Sequence, residues 1–103
     1  YVAWYLDNSE DTSHPVGEKK DNSIGIYDMS GNIWEWCWDR YSDSYYRSSP
    51  RNNPVGPSSG LSRVFRGGGW NYNASLCRVA NRADGAPYES YIFVGFRVCR
   101  SAP

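Results

Sequence analysis

Hydrophobic and polar residues alternate along a few short stretches of this chain. Between residues 33 and 38, tryptophan occupies every second position, and a period of two is typical of a β-strand. Further alternating stretches follow at Arg63–Arg66, Leu76–Arg82 and Phe93–Arg100. Because the intervening segments are longer than these stretches, we predict short antiparallel strands joined by long loops.

The segments between the predicted strands are polar and rich in turn-forming residues. Residues 1–23 begin with Tyr-Val-Ala-Trp-Tyr and then become polar, which predicts an extended lead-in followed by a loop. Residues 42–62 consist largely of Ser, Tyr, Arg, Asn, Pro and Gly and predict a long surface loop. Asp28–Gly31 and Ala83–Ser90 are predicted to be turns. The sequence contains neither a repeat nor an inter-domain linker, so residues 1–103 are predicted to form a single domain.

The composition argues against several classes of function. The 11 basic and 11 acidic residues balance, so there is no basic field to bind a nucleic acid. The apolar runs are a few residues long, so no membrane span is expected. Aromatic residues make up 17% of the chain. This content suits either a loop-rich fold held by aromatic packing or an exposed recognition surface, and both uses stay open.

The three cysteines, Cys37, Cys77 and Cys99, form an odd set. At most one disulfide can form, three pairings are open, and one thiol is left over. The spacings match no zinc pattern of the Cys-x-x-Cys type. We therefore predict that the cysteines serve as small buried hydrophobic residues.

Three arginines, Arg78, Arg82 and Arg97, lie within the last two predicted strands. A charged side chain inside a small fold costs free energy unless it is paired. We predict ion pairs that brace the core, with a substrate-binding arginine as the alternative. The candidate carboxylate partners are Asp28, Glu35 and Asp39.

Four motifs follow one another along the chain. Residues 25–36 read Gly-Ile-Tyr-Asp-Met-Ser-Gly-Asn-Ile-Trp-Glu-Trp, and residues 66–70 read Arg-Gly-Gly-Gly-Trp. Arg-Val-Ala-Asn-Arg at residues 78–82 and Gly-Phe-Arg-Val at residues 95–98 complete the set. In this order the motifs resemble those of the formylglycine-generating-enzyme-type domain, the sulfatase-modifying factor domain.

This resemblance implies an α+β fold of mostly antiparallel β-structure and irregular loop, a compact variant of the C-type lectin fold. Members of the family are longer at the N-terminal end, so the chain is expected to lack the N-terminal part of that fold. A missing N-terminal segment or a partner chain would then be needed to complete a core of adequate size.

The resemblance also implies a test for enzyme activity, because the oxidase of this family holds copper with two cysteines after the Arg-Gly-Gly motif. Two thiolates at close range suit copper(I), but here Tyr72 lies near the first position and Cys77 stands alone. The related iron-dependent sulfoxide synthases need several histidines, and His14, the single histidine, is predicted to be a solvated loop residue. We therefore predict that the chain is not an enzyme. A copper-dependent formylglycine-generating oxidase or an enzyme-associated domain is the alternative.

A calcium site is a further implication of the resemblance, although no cofactor is expected to be required. The matching ligands are Asp28, Gly31, Ile33 and Glu35. Two carboxylates and two backbone carbonyl oxygens are hard ligands of the kind that calcium prefers. The alternative is that Asp28 caps its turn while Glu35 pairs with an arginine.

Residues 69–98 resemble, more narrowly, the variable region of retroelement-diversified proteins of this fold, of which the Treponema variable protein is one kind. In that group the variable residues cluster on a solvent-facing surface of a rigid scaffold. The matching positions here are Tyr72, Ser75, Leu76, Ala83, Asp84, Gly85, Ala86, Tyr88, Glu89, Tyr91, Ile92 and Phe93.

The implied function is a non-catalytic module that binds a protein or cell-surface ligand, outside or on the surface of a bacterial cell. The aromatic anchors of the contact surface would be Tyr72, Tyr88, Tyr91 and Phe93, and Asp84 and Glu89 would add polar contacts. Trp36 and Phe96 are expected to belong to the supporting core. The alternative is that the twelve positions are ordinary loop residues that cover this core.

Overall fold

A four-stranded mixed sheet forms the centre of the computed structural model, which describes residues 2–101. The strands are β1 (Trp34–Arg40), β2 (Arg63–Arg66), β3 (Ala83–Gly85) and β4 (Val94–Gly95), and their order in the sheet is β3-β2-β1-β4. β2 is antiparallel to both β1 and β3, whereas β4 is parallel to β1.

Two short helical segments accompany the sheet, the α-helix α1 at Tyr45–Ser48 and a 3-10 helix at Ala74–Cys77. Each has four residues. Within residues 2–101, no helix has the length and apolar character that a membrane crossing needs, in line with the short apolar runs of the sequence.

The first two predicted strands are confirmed. The alternating tryptophans lie in β1, and Arg63–Arg66 forms β2 as predicted. The pair Trp36 and Phe65 sets the register of these strands, which shifts irregularly between Trp36 and Arg40. Such a shift inserts extra residues into one strand and bends it locally.

The prediction of a strand at Leu76–Arg82 is wrong. Local hydrogen bonds fold this stretch into part of the 3-10 helix and a turn. The backbone N–H of Leu76 donates to the Asn73 carbonyl, and that of Asn81 donates to the Arg78 carbonyl. The Asn81 side chain donates to the Leu76 carbonyl in addition. These bonds occupy groups that a strand would offer to a neighbouring strand.

The third and fourth strands also differ from the prediction. Ala83–Gly85, predicted to belong to a turn, pairs with β2 as a strand. Of the stretch Phe93–Arg100, Val94–Gly95 alone is a strand, and it runs parallel to β1 rather than antiparallel. Residues 96–100 are exposed and pair with no strand in the described part of the chain.

The core is small and aromatic. The buried hydrophobic residues within 2–101 are Trp34, Val64 and Phe65, and Trp34 is only 1% exposed. The ring of Phe65 packs edge-to-face on Trp34 at 5.3 Å and on Trp36 at 5.2 Å between centroids. Phe96, by contrast, is 77% exposed, so its predicted place in the core is wrong. It follows the end of β4, where no strand covers it.

The N-terminal lead-in is tied to the centre of the fold through the turn before β1. The Trp4 carbonyl accepts a hydrogen bond from the Asn32 N–H, and the Asn32 carbonyl accepts one from the Trp70 N–H. Gly31 has a φ of +79°, and a Cβ atom there would lie 2.9 Å from the Ala3 Cβ. A glycine is therefore required at this close approach.

His14 is not the solvated loop residue that the sequence predicts. Its ring stacks on that of Trp4 with centroids 3.6 Å apart, and its Nε2 lies 2.7 Å from the Ser9 carbonyl oxygen. The Asn32 side chain accepts from the His14 N–H and donates to its carbonyl. Packing against an aromatic ring, which the polar flanking sequence does not reveal, decides its position.

Candidate functional site

Three aromatic residues of the predicted variable region lie against the core. With three of the four aromatic residues of the sheet they form a continuous set of ring contacts, which we call the aromatic cluster. Its members are Trp34, Trp36, Phe65, Tyr72, Tyr91 and Phe93. Of the four predicted anchors, Tyr72, Tyr91 and Phe93 are thus brought together and are half-buried, whereas Tyr88 is 85% exposed and lies outside the cluster.

The contacts within the aromatic cluster join the predicted region to the buried tryptophan. Tyr72 packs edge-to-face on Trp34 and on Phe93, in both cases with 5.5 Å between ring centroids. Tyr91 contacts Phe93 at 5.6 Å and Phe65 at 6.2 Å. Pairs at such separations add stabilisation beyond the area that they bury.

Tyr91 also closes the loop that precedes it. Its hydroxyl donates to the Glu89 carboxylate at 2.8 Å and accepts from the Ala86 N–H at 3.2 Å. The bond to Glu89 is the main cause of a raised pKa of Tyr91. A Cβ atom on Gly85 would lie 2.8 Å from this hydroxyl, so the absence of a side chain there makes room for the phenol.

The remaining predicted contact positions divide by exposure. Tyr88 and Ile92 are each 85% exposed. The other exposed positions are Ser75, Asp84 and Glu89, and the half-buried positions are Leu76, Ala83 and Ala86. Gly85 is buried beneath Tyr91 and supports that side chain instead of presenting a contact of its own.

The four residues predicted to bind calcium line one cavity together with Arg97, whose guanidinium contacts two of them, Asp28 and Glu35. Arg97 donates from Nε and Nη2 to both carboxylate oxygens of Glu35, with a shortest distance of 2.7 Å. Arg97 Nη2 also donates to the carbonyl oxygens of Tyr27 and Asp28, at 2.9 and 3.3 Å. The hydrogen bond to Glu35 is the main cause of a raised pKa of Arg97.

The carboxylate of Asp28 has a protein partner as well. It accepts the Gly17 N–H at 2.7 Å, so it joins a neighbouring loop instead of capping its own turn. Within residues 2–101, no group of three or more His, Cys, Asp or Glu side chains is placed to hold a metal ion. As arranged here, the Glu35 carboxylate and the Asp28 carbonyl oxygen accept hydrogen bonds from the Arg97 guanidinium. Calcium at Asp28, Gly31, Ile33 and Glu35 stays a prediction that requires Arg97 to leave Glu35.

The predicted ion pairs of the three arginines form in one case. Arg97 pairs with Glu35 as predicted. For Arg78 and Arg82 the prediction is wrong: the structure of residues 2–101 contains no ion pair for either. Arg78 instead donates to the Ser75 carbonyl in its own turn, and Arg82 stacks on the rings of Tyr46 and Tyr41. Tyr46 carries no signal in the sequence, because its partners Arg66, Ala80 and Arg82 come from distant segments.

All three cysteines are free. Cys37 on β1 and Cys77 in the 3-10 helix are half-buried, and burial is the main cause of a raised pKa of each thiol. Cys77 lies so close to Gly68 that a Cβ atom there would be 2.6 Å from its sulfur. Cys99 is exposed, so the prediction of a buried residue is wrong for it. It lies in the extended end of the chain beyond β4.

Comparisons with known proteins identify the family. Residues 1–102 match the family described as Sulfatase-modifying factor enzyme 1-like domain. The formylglycine-generating enzyme of Streptomyces coelicolor is 38% identical over 104 residues, which cover 95% of this chain and 33% of that protein.

Two solved structures are similar in fold and in sequence. Treponema denticola variable protein 1 superposes with a TM-score of 0.79 at 38% identity, covering 92% of this chain and 34% of that one. PvdO from Pseudomonas aeruginosa superposes with a TM-score of 0.78 at 28% identity, covering 91% and 37%. The chain thus spans about a third of the length of each of these relatives. It belongs to the sulfatase-modifying factor enzyme 1-like family and has the formylglycine-generating-enzyme type of C-type lectin fold.

Proposed function

We propose that this chain is a non-catalytic ligand-binding module that presents a diversified surface to a protein or cell-surface target. The observation that carries the proposal is the packing of Tyr72 on the buried ring of Trp34 and of Tyr91 on that of Phe65, with Phe93 in contact with both tyrosines. Anchors that are already packed lose little freedom on binding, which favours affinity. The similarity to a variable protein of this fold adds support.

The exposed positions around these anchors are suited to variation. Tyr88 and Ile92 lie 85% exposed, and Glu89 is also exposed. Substitutions at such positions change folding free energy little, so a retroelement could vary them without loss of the scaffold. Binding outside the cell or at the bacterial surface is part of this proposal.

The proposal that the chain is non-catalytic depends on its cysteine thiols, which are the expected copper ligands. The oxidase that the resemblance implies holds copper(I) with two thiolates after the Arg-Gly-Gly motif, whereas here Cys77 stands alone in that stretch and its thiol is half-buried. A copper-dependent oxidase or an enzyme-associated domain is the second candidate, favoured by the 38% identity to a formylglycine-generating enzyme. Copper binding together with oxygen uptake on a cysteine-containing sulfatase peptide would establish that candidate and overturn the first.

A pair of displayed libraries tests the proposed surface. The first randomises Tyr88, Glu89 and Ile92, and the matched control randomises the exposed residues Val16, Ser59 and Leu61. Both are selected for binding to hen lysozyme as a defined protein probe, and folding is followed by the thermal midpoint. The first library should yield lysozyme binders that keep the parental midpoint.

The control library should yield none, because its positions lie away from the aromatic cluster. Equal success of the two libraries would show that the predicted region has no special capacity for binding. Loss of folding in most members of the first library would contradict the separation of scaffold and contact surface.

A further inference from the structure

A cleft of about 410 Å³ lies between α1, the adjoining loop and the strands β1 and β2. Its lining includes Trp38, Asp39, Tyr46, Arg66 and Arg82, and we call it the arginine cleft. None of the twelve predicted contact positions lines it. The cleft is therefore separate from the surface of the proposed function.

Arg82 differs from the other residues that line the arginine cleft in having a buried donor atom without a hydrogen bond within residues 2–101. This atom is the guanidinium Nε. The described part of the chain also contains no carboxylate within ion-pair distance of its guanidinium. A buried donor without an acceptor costs free energy, and such a group calls for an explanation.

Aromatic rings hold this guanidinium in place. Its central carbon lies 4.0 Å from the centroid of Tyr46 and 5.1 Å from that of Tyr41. Such contacts favour a cation over the ring face and fix its plane. They do not supply an acceptor for its N–H groups. The guanidinium is thus positioned, and its hydrogen-bonding capacity is unused by the described residues.

Arg66 supports the same wall of the cleft. It donates to the Tyr46 hydroxyl at 2.9 Å and to the Val79 carbonyl at 3.2 Å. The Tyr46 hydroxyl in turn donates to the Ala80 carbonyl at 2.8 Å. These bonds satisfy Arg66 donors but leave its positive charge without a carboxylate, so the lining carries two guanidinium groups and the single carboxylate of Asp39.

We propose that the arginine cleft binds a monocarboxylate with an apolar body, whose carboxylate pairs with Arg82. A planar carboxylate matches the fork of N–H groups on a guanidinium. One net positive charge in the lining suits a monoanion, whereas a phosphate dianion would be repelled by Asp39. Trp38, which is 87% exposed, and the ring of Tyr46 offer apolar surface to the rest of the ligand.

Three small probes of similar shape test this proposal on the unmodified chain. They are 3-phenylpropionate, its uncharged amide 3-phenylpropanamide, and phenyl phosphate. Each is titrated while the NMR signals of the arginine Nε–H groups and the tryptophan indoles are followed. The acid should shift the Arg82 Nε–H and Trp38 signals, and the amide should bind at least about tenfold more weakly because the charged hydrogen bond is lost.

Equal binding of acid and amide would overturn the proposal, as would shifts confined to signals outside the cleft. Tighter binding of phenyl phosphate than of the acid would overturn the assignment to carboxylates. These three outcomes need no variant and do not depend on whether a substituted chain folds.

Substitutions then locate the site. Arg82→Gln should weaken binding of 3-phenylpropionate by about tenfold or more. Arg100→Gln removes the same charge from an exposed residue outside the cleft lining and should leave it unchanged. Equal weakening in the two variants would indicate a general charge effect and contradict the proposal. The libraries of the proposed function leave the cleft lining intact, so the two proposals can fail independently.

Discussion

Arg97 donates hydrogen bonds to both carboxylate oxygens of Glu35, although 62 residues separate Arg97 from Glu35 in the chain. The same guanidinium donates to the Tyr27 and Asp28 carbonyls. One side chain therefore joins the end of the chain, the first strand and the turn that leads into it. The contact also explains how a carboxylate in the central strand is satisfied.

Replacing Arg97 with glutamine should lower the free energy of unfolding by about 1 kcal/mol, a modest value because the pair is partly open to solvent. The side chains of Arg97 and Glu35 are 37% and 22% exposed. Denaturant unfolding measures the change, and high salt should reduce it by screening. Arg100→Gln, at an exposed position, is the control. An equal loss in both variants would mean that the pair contributes nothing specific.

Calcium should bind more tightly to Arg97→Ala than to the parental chain. Removal of the guanidinium frees the Glu35 carboxylate and the Asp28 carbonyl for a hard cation. Calorimetric titration with calcium chloride measures the affinity. The double variant Arg97→Ala/Glu35→Gln should lose the gain. If the parental chain binds calcium as tightly as Arg97→Ala does, Arg97 does not compete with the calcium ion.

Tyr88→Ala and Tyr91→Ala should differ in stability even though both tyrosines belong to the predicted contact surface. Tyr88 is 85% exposed, so its truncation should change the unfolding free energy by less than about 0.5 kcal/mol. Tyr91 packs on Phe65 and covers Gly85, so its truncation should cost about 1–2 kcal/mol.

Thermal or denaturant unfolding separates these two variants, with Trp34→Ala as the reference for a full core truncation of about 3–5 kcal/mol. Trp34 is 1% exposed. A solvent-facing position, which the resemblance implies for the tyrosines of this region, would make them dispensable for folding. An unchanged midpoint for Tyr91→Ala would favour that expectation over the packing described above.

The cysteines should differ in alkylation by iodoacetamide in the order of their exposure. Cys99 is exposed and should react first, whereas Cys77 is half-buried and its thiol has a raised pKa. The thiolate is the reactive form, so the Cys77 reaction should accelerate as the pH rises. Mass spectrometry of digests over time gives the order. Equal rates for the two would contradict the burial of Cys77.

The raised pKa of Cys77 also predicts the sign of a pH effect on stability. Because the folded state favours the neutral thiol, its contribution is full below the unfolded pKa and is lost as the pH rises through the folded pKa. Above the ordinary thiol pKa of about 8.5, the unfolding free energy of the parental chain should therefore fall more steeply with pH than that of Cys77→Ser. If the unfolding free energy falls equally with pH in the parental chain and in Cys77→Ser, the raised pKa of Cys77 is contradicted.

The family and one ion pair beside the predicted calcium ligands could be predicted from the sequence. The order of the motifs indicated the family, and the hypothesis that Glu35 pairs with an arginine is confirmed by Arg97. The partners of Arg82 could not be predicted, because stacking on Tyr41 and Tyr46 depends on how three separate segments meet. Neither could the pairing of Tyr91 with Phe65, which joins residues far apart in the sequence.

The amino-acid sequence by itself determined β1, β2 and the family, because a period of two and motifs in fixed order are local properties of the chain. Only the tertiary structure decided that β4 runs parallel to β1 and that Ala83–Gly85 is a strand. The physical reason is that strand pairing depends on which backbone groups meet across a sheet. Apolar and polar residues alternate in the short stretch Leu76–Arg82, yet this stretch forms a 3-10 helix and a turn. Its backbone N–H groups and the Asn81 side chain find acceptors among nearby carbonyl groups of the same segment.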